Sequence, residues 1–238
     1  MKSGGISIVI PAFNEEKNID RVVKEAASEL VKITSDWEIV LVNDGSKDST
    51  GRKIDLLAKN NKKIRSVHHQ QNRGFTGAMK TCFKSASKEC LFLAPADGQF
   101  DFKELGSFVK AMDGHDVVIA YRLQDDIPFG QKLRSNLLHL PFLFLCRYLL
   151  GIKLREFSTV SLWKKRVVDL IDIKADDRSA LFLPEIISKA TKKGYRFAEV
   201  PIYWHQRRAG EAKGTGLRVA LKSGIAIIKL WRQLQGSK

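Results

Sequence analysis

Several things are scarce in this 238-residue sequence, and each scarcity excludes something. There are three cysteines, Cys82, Cys90 and Cys146, an odd number without metal-type spacing. That argues against a disulfide framework and fits a reducing compartment. No apolar stretch approaches the ~20 residues that cross a bilayer, so no transmembrane helix is expected. Met1 to Gly5 lacks the apolar core of a signal peptide. Zinc-finger spacing, an aromatic RNA-binding signature and a long basic stripe are all missing, so nucleic acid is not an expected partner. There is no internal repeat, low-complexity tract or linker to a second domain. Acidic residues are short too: 26 against 41 Lys and Arg, a formal net charge of +15. Such a chain suits anionic lipid or phosphorylated ligands. Much of the excess sits on amphipathic segments beside apolar ones, which favours an anionic membrane surface.

What is present is a core-forming composition, 44% hydrophobic, long enough for one large domain. Apolar runs stop at polar clusters in three places: Ile6–Ile10 before Pro11-Ala12-Phe13-Asn14-Glu15, Glu38–Val42 before Asn43-Asp44-Gly45-Ser46, and Leu91–Ala94 before Pro95-Ala96-Asp97-Gly98-Gln99. A fourth cluster, Asn72-Arg73-Gly74, leads into a helix from Gly74 to about Ala86. Buried parallel strands deliver functional loops this way, and open α/β sheets bind ligands outside the carboxyl ends of their strands. Further strands are expected at 64–68, 90–94 and 117–121, and another from Tyr195 to Tyr203. Helices are expected at 15–33, with Asn14 as N-cap, from Asp48 or Ser49 through 59, and at 181–193. The apolar stretch 137–150 is too short to span a bilayer; it lies in the interface or packs on the domain. Residues 217–235 form a basic amphipathic helix.

The clusters suit a sugar nucleotide and a divalent metal. Asp44 can accept from the imino N–H of uracil or from the N1 and N2 hydrogens of guanine, and Gly45 lets a base approach the backbone. Glu15 can meet a ribose. Backbone N–H groups of the Asn72-to-Gly77 loop can meet phosphate or ribose. Asp97 is the best ligand for Mg²⁺ or Mn²⁺, which bind through few carboxylates plus phosphates. In an extended segment the Gln99 carbonyl, and then Asp101, face the same way. Arg122, Arg134, Arg207, Arg208 and Lys213 are the cations suited to phosphate.

Together these segments resemble the GT-A fold of family 2 glycosyltransferases, within it the polyprenyl-phosphate hexose synthases. Pro11-Ala12-Phe13-Asn14-Glu15 matches Pro-x-x-Asn-Glu. Asn43-Asp44-Gly45-Ser46 matches Asp-Asp-Gly-Ser, and Asn72-Arg73-Gly74 matches the Asn-x-Gly loop. Ala120-Tyr121-Arg122 stands at a Ser-Arg pair, and Arg207 to Lys213 resembles Arg-x-x-Gly-x-Ser-Lys with Ala212 for the serine. Pro95 replaces the first Asp of Asp-x-Asp-x-Gln, and Asn43 the first Asp of the second motif.

The resemblance implies a Rossmann-like, mostly parallel α/β sheet flanked by helices, with peripheral amphipathic helices. Its donor half is about 1–122, its acceptor half about 123–216, and 217–238 is the terminal helix. Pro11, Ala12, Asn14, Glu15, Asp44, Gly45, Ser46, Asn72, Gly74, Ala96 and Asp97 would hold the nucleotide sugar. Asp97 and Gln99 would hold the metal. Asp97, Arg122 and Arg207 would be catalytic, and Arg122, Arg134, Arg207 and Lys213 would bind phosphate. The implied reaction is an inverting hexose transfer from GDP-mannose or UDP-glucose to a polyprenyl phosphate, at the cytoplasmic face of a membrane. Two alternatives stand beside it. One is transfer to a hydroxyl acceptor, with Glu156, Asp176, Asp177 or Glu185 as base. The other is a catalytically weak membrane-surface module of the same fold.

Overall fold

A computed structural model describes residues 4–123, 142–157, 159–179, 181–205 and 217–235, the side chains of 217–223 excepted. Among the described residues, seven strands form one sheet: β1 (Ile6–Ala12), β2 (Trp37–Asn43), β3 (Ile64–His68), β4 (Cys90–Leu93), β5 (Val117–Leu123), β6 (Ser161–Lys164) and β7 (Phe197–Tyr203). Their order is β3-β2-β1-β4-β6-β5-β7. β6 pairs antiparallel with both β4 and β5, and every other pairing is parallel. The expected strands are all present. β6 was not expected; four residues inside a polar stretch carry too little alternation to read.

Helices cover both faces, so strand residues on either face are mostly apolar. Ile6, Ile8 and Ile10 of β1, Ile39 and Leu41 of β2 and Phe92 of β4 face one core. That core is closed by α1 (Ile19–Ile33), α2 (Thr50–Asn60) and α4 (Leu105–Ala111). Val9, Val40, Val42, Leu91 and Leu93 face the other. It is closed by α3 (Phe75–Ser85), α5 (142–150), α6 (Lys165–Asp169), α7 (Phe182–Lys192) and α8 (Leu217–Gln235).

α5 buries Leu143, Cys146 and Leu150, and α8 buries Ile227 and Leu230. The two helices lie close at Gly224, where an added Cβ would come within 3.8 Å of Leu145. Their outer sides leave Phe144, Tyr148, Ile225 and Ile228 exposed, the first two with stacked rings. The part of the apolar stretch that is described therefore packs on the domain; 137–141 lie outside the described residues. Among the described residues, no helix is long and apolar enough to cross a membrane.

α1 starts at Ile19, four residues later than the sequence suggests, and Asn14 is not its N-cap. Asn14 sits at φ 54°, and its side-chain oxygen accepts from the Lys47 N–H. A contact to a distant loop has overridden a local capping signal.

Opposite the loops, Asp116 fastens three strands. Its carboxylate accepts from the Arg196 N–H and from Lys164 and Arg166, and its carbonyl accepts from the Lys164 N–H. Burial alone would raise its pKa, but these donors outweigh it and hold the carboxyl at about 2. The folded pKa is depressed, so the stabilisation is full above the unfolded value near ~4 and fades as pH falls toward 2. Asp116→Asn should therefore cost about 1–2 kcal/mol at pH 7. Urea melts as a function of pH should show the gap to wild type closing between pH ~4 and ~2.

Candidate active site

The carboxyl ends of β1, β2 and β4 open on one cavity of about 510 Å³. Pro11, Ala12, Phe13 and Glu15 line it from β1, Asp44 from β2, and Ala94, Pro95, Ala96 and Asp97 from β4. Asn72, Gly74 and Phe75 close it at the start of α3. The loops come together because β1 lies between β2 and β4 in the sheet.

Asp44 is buried and organises its neighbours. Oδ1 accepts from the Arg73 N–H at 2.9 Å, and Oδ2 from the Gly74 N–H at 3.0 Å. His69 Nδ1 lies 2.7 Å from Oδ1, and the Asn72 side chain donates to the Asp44 carbonyl at 3.2 Å. One carboxylate thus ties β2 to the loop before α3. Gly45 has φ +68°, and a Cβ there would sit 2.5 Å from the Asn72 nitrogen, so only glycine fits.

A second clamp joins the loops after β1 and β2. Asn14 N–H donates to Ser46 Oγ, Glu15 N–H to Thr50 Oγ1, and Ser49 N–H to Glu16. Asn14 and Ser46 therefore brace one another, while Glu15 bonds Asn18 through Oε2 and still lines the cavity. Asn43 takes a bond from the Ser46 N–H and reaches His68 Nδ1 at 3.1 Å. His68 Nε2 lies 2.9 Å from Asp55, so it carries the hydrogen and leaves Nδ1 as acceptor. A carboxylate at position 43 would have nothing to donate to it.

Asp97 is buried, lines the cavity and accepts from the Gln99 N–H at 3.1 Å. The segment is not extended, because Gly98 at φ +71° turns it. The expected alternation fails for that reason. Gln99 instead pairs with the His205 backbone, donating through Nε2 at 2.8 Å and accepting through its carbonyl at 3.1 Å. Asp101 caps the short turn at Phe102–Glu104.

Among the described residues, no three His, Cys, Asp or Glu gather as a metal cage. The donor set fits a Mg²⁺ or Mn²⁺ ion held by Asp97 and by phosphates of a ligand.

Arg122 lies outside the cavity lining. Its backbone N–H and its guanidinium both bond Glu156, and the guanidinium lies over Trp204. Arg134, Arg207, Arg208 and Lys213 fall outside the described residues. Three of the four carboxylates considered as bases are engaged elsewhere. Glu156 holds Arg122, and Glu185 accepts from the Lys174 and Ala175 N–H groups and from Lys189. Asp177 is held below the usual carboxylate range by Arg73, with Lys80 adding to it. Asp176 is exposed and off the cavity lining. Sequence reasoning missed His69, Phe75 and Thr159. Only Phe75 had a signal, its place directly after Asn72-Arg73-Gly74.

A family model described as "Glycosyl transferase family 2" matches residues 7–167. The glycosyltransferase AglD of Haloferax volcanii is 24% identical over 96% of this chain, and the dodecaprenyl-phosphate galacturonate synthase of Rhizobium johnstonii 25% over 87%. The chain spans 37% and 61% of their respective lengths. The dolichyl-phosphate beta-glucosyltransferase ALG5A of Trichomonas vaginalis is 26% identical over 94% of this chain and 72% of its own. Among solved structures, glucosyl-3-phosphoglycerate synthase from Mycobacterium tuberculosis in complex with uridine diphosphate superposes with a TM-score of 0.71. It is 17% identical over 97% of this chain and 81% of that one. The same enzyme is also known with Mn²⁺ and UDP-glucose, at a TM-score of 0.69 and 19% identity, over 96% of this chain and 78% of that one. The architecture is thus GT-A-like.

Gly45→Ala should cost at least about 1–2 kcal/mol, from an unfavourable positive φ plus the overlap with Asn72. Hydrogen exchange checks the cause: the Arg73 and Gly74 amides, which bond Asp44, should lose protection before the sheet does.

Proposed function

From the premise that the chain belongs to glycosyl transferase family 2 and is a glycosyltransferase, we propose that it transfers a hexose from a nucleoside diphosphate sugar to a polyprenyl phosphate, with inversion, at a membrane surface. One observation carries the acceptor side of this reading. The cavity collects Asp44, Glu15 and Asp97, whereas Glu156, Asp177 and Glu185 are each bound by cations or N–H groups outside it. A hydroxyl acceptor needs a base within hydrogen-bond reach. A phosphate monoester does not, since its second pKa near ~6 leaves it largely ionised at neutral pH. The named activities of the galacturonate synthase and of ALG5A, which use dodecaprenyl and dolichyl phosphate, support the same acceptor class.

The chain's own residues then align the reactants and stabilise charge. Asp44 recognises the base while fixing the Asn72–Gly74 loop beneath it. Phe75, exposed beside that loop, offers the base an apolar face. Glu15 meets the ribose, and the close backbone at Gly45 admits the nucleoside. Asp97 holds the divalent ion, which when bound neutralises charge on the leaving diphosphate. The acceptor phosphate falls to the cations Arg134, Arg207 and Lys213. Arg122 is set over Trp204 by Glu156.

The outer faces of α5 and α8 give the membrane contact. Phe144, Tyr148, Ile225 and Ile228 are exposed there, with Lys229 and Arg232 also exposed on α8. Apolar groups flanked by cations bind anionic lipid, each cation near the surface adding about 1 kcal/mol.

Radiolabelled GDP-mannose and UDP-glucose, supplied with polyprenyl phosphate in detergent, test the reaction. A chloroform-soluble product should form with one of them, and Asp97→Ala should lower its rate at least about a hundredfold. Label moving only into water-soluble acceptors would refute the lipid-phosphate acceptor. Co-sedimentation tests the surface: Phe144→Ser with Tyr148→Ser should weaken binding to phosphatidylserine vesicles about tenfold while leaving the melting curve near wild type.

A further inference from the structure

The bonds already made to Asp44 decide which base it reads; the inference rests on the donor reading above. An ionised carboxylate is acceptor-only, with about four lone-pair positions over its two oxygens. Among the described residues, three are taken. Oδ1 receives the Arg73 N–H at 2.9 Å and faces His69 Nδ1 at 2.7 Å. Since Asp44 has no hydrogen to give, His69 Nδ1 is the donor. The other ring nitrogen lies 2.9 Å from Thr81 Oγ1, whose hydroxyl donates to the Gly77 carbonyl, and this contact holds the imidazole in place. Oδ2 receives only the Gly74 N–H, at 3.0 Å. Oδ1 is therefore full, and Oδ2 has one position left, on a residue that lines the cavity.

One open position matches one donor. Guanine presents N1–H and N2–H side by side, a pair that a carboxylate takes with both oxygens. Here one of those hydrogens would stay buried and unpaired, which is costly. Cytosine and adenine place a ring-nitrogen lone pair where the carboxylate needs a hydrogen. Uracil presents a single imino N–H between two carbonyls. The Asn72 amide supplies a partner for a carbonyl: one Nδ2 hydrogen goes to the Asp44 carbonyl at 3.2 Å, and the second remains. Asn72 and Asp44 both line the cavity.

The geometry points to a uridine diphosphate sugar as the donor, selected because His69 and the Arg73 N–H occupy the carboxylate oxygen that guanine would need. His69 thereby acts as a specificity-determining residue that touches Asp44 and not the base.

Isothermal titration of the wild-type chain with UDP, GDP, CDP, ADP and N3-methyl-UDP, each with Mn²⁺, tests this. UDP should bind at least tenfold tighter than any other, and methylation of N3 should cost at least tenfold. His69→Leu returns the second position on Oδ1, so the UDP-to-GDP ratio should fall at least threefold; a ratio that does not fall removes His69 from the account. If that variant does not fold, the N3-methyl comparison on the wild type decides alone. A UDP preference below tenfold, or N3-methyl-UDP binding like UDP, overturns the inference and leaves the glycosyltransferase reading standing. Binding of none of the five overturns both.

Discussion

The buried carboxylate of Asp44 is the constraint on which the cavity depends. A carboxylate at the end of a parallel strand, 4% exposed, is stable only when its lone pairs are met. Two backbone N–H groups and one imidazole meet them, and all belong to the segment between β3 and α3. The carboxylate fixes the loop, and the loop's donors meet the carboxylate's lone pairs. Recognition of a ligand there needs little further ordering, because the groups that would otherwise move are already held.

The rest of the rim follows the same principle, with polar loops bonded to one another rather than to solvent. Asn14 and Ser46, Glu15 and Thr50, and Glu16 and Ser49 join loops more than thirty residues apart in sequence. Asn14 accepts a left-handed backbone to make this possible, a cost of about 1 kcal/mol or more that the reciprocal bonds offset. At the opposite end of the sheet, Asp116 does comparable work for β5, β6 and β7. Glu38 does so near the starts of β1 and β2: burial would raise its pKa, but Ser7, Ser87 and Arg65 together lower it. Buried acids thus stand at both ends of the sheet, each satisfied by donors from neighbouring segments.

Much of this was legible in the sequence, for a physical reason. Strands covered on both faces are mostly apolar, so Ile6–Ile10, Glu38–Val42 and Leu91–Leu93 stand out from their surroundings. The polar residues that end them mark the loops. What escaped was set by long-range contacts. Asn14 resembles an N-cap until Lys47 claims its side chain. Gln99 keeps step with Asp97 only in an extended chain, and Gly98 turns it toward His205. His69 reads as an ordinary residue after a short strand, since nothing local reveals that it meets a carboxylate 25 positions earlier. The four residues of β6 gain their place from pairing on both sides, with β4 and β5, rather than from their own pattern.

Pro95 also acquires a meaning that a motif comparison lacks. It lines the cavity where an acid is common in the family it resembles, so an apolar ring stands beside Asp97. A single buried carboxylate is a poor cage for Mg²⁺ or Mn²⁺, which prefer several oxygens. On the donor reading proposed above, the missing oxygens would be those of the donor's diphosphate. On that reading ion and nucleotide would bind with positive coupling, each raising the affinity for the other by the same factor. A chain with two acids in this loop could retain the ion alone. Here, on the same donor reading, the ion's residence would depend on the nucleotide.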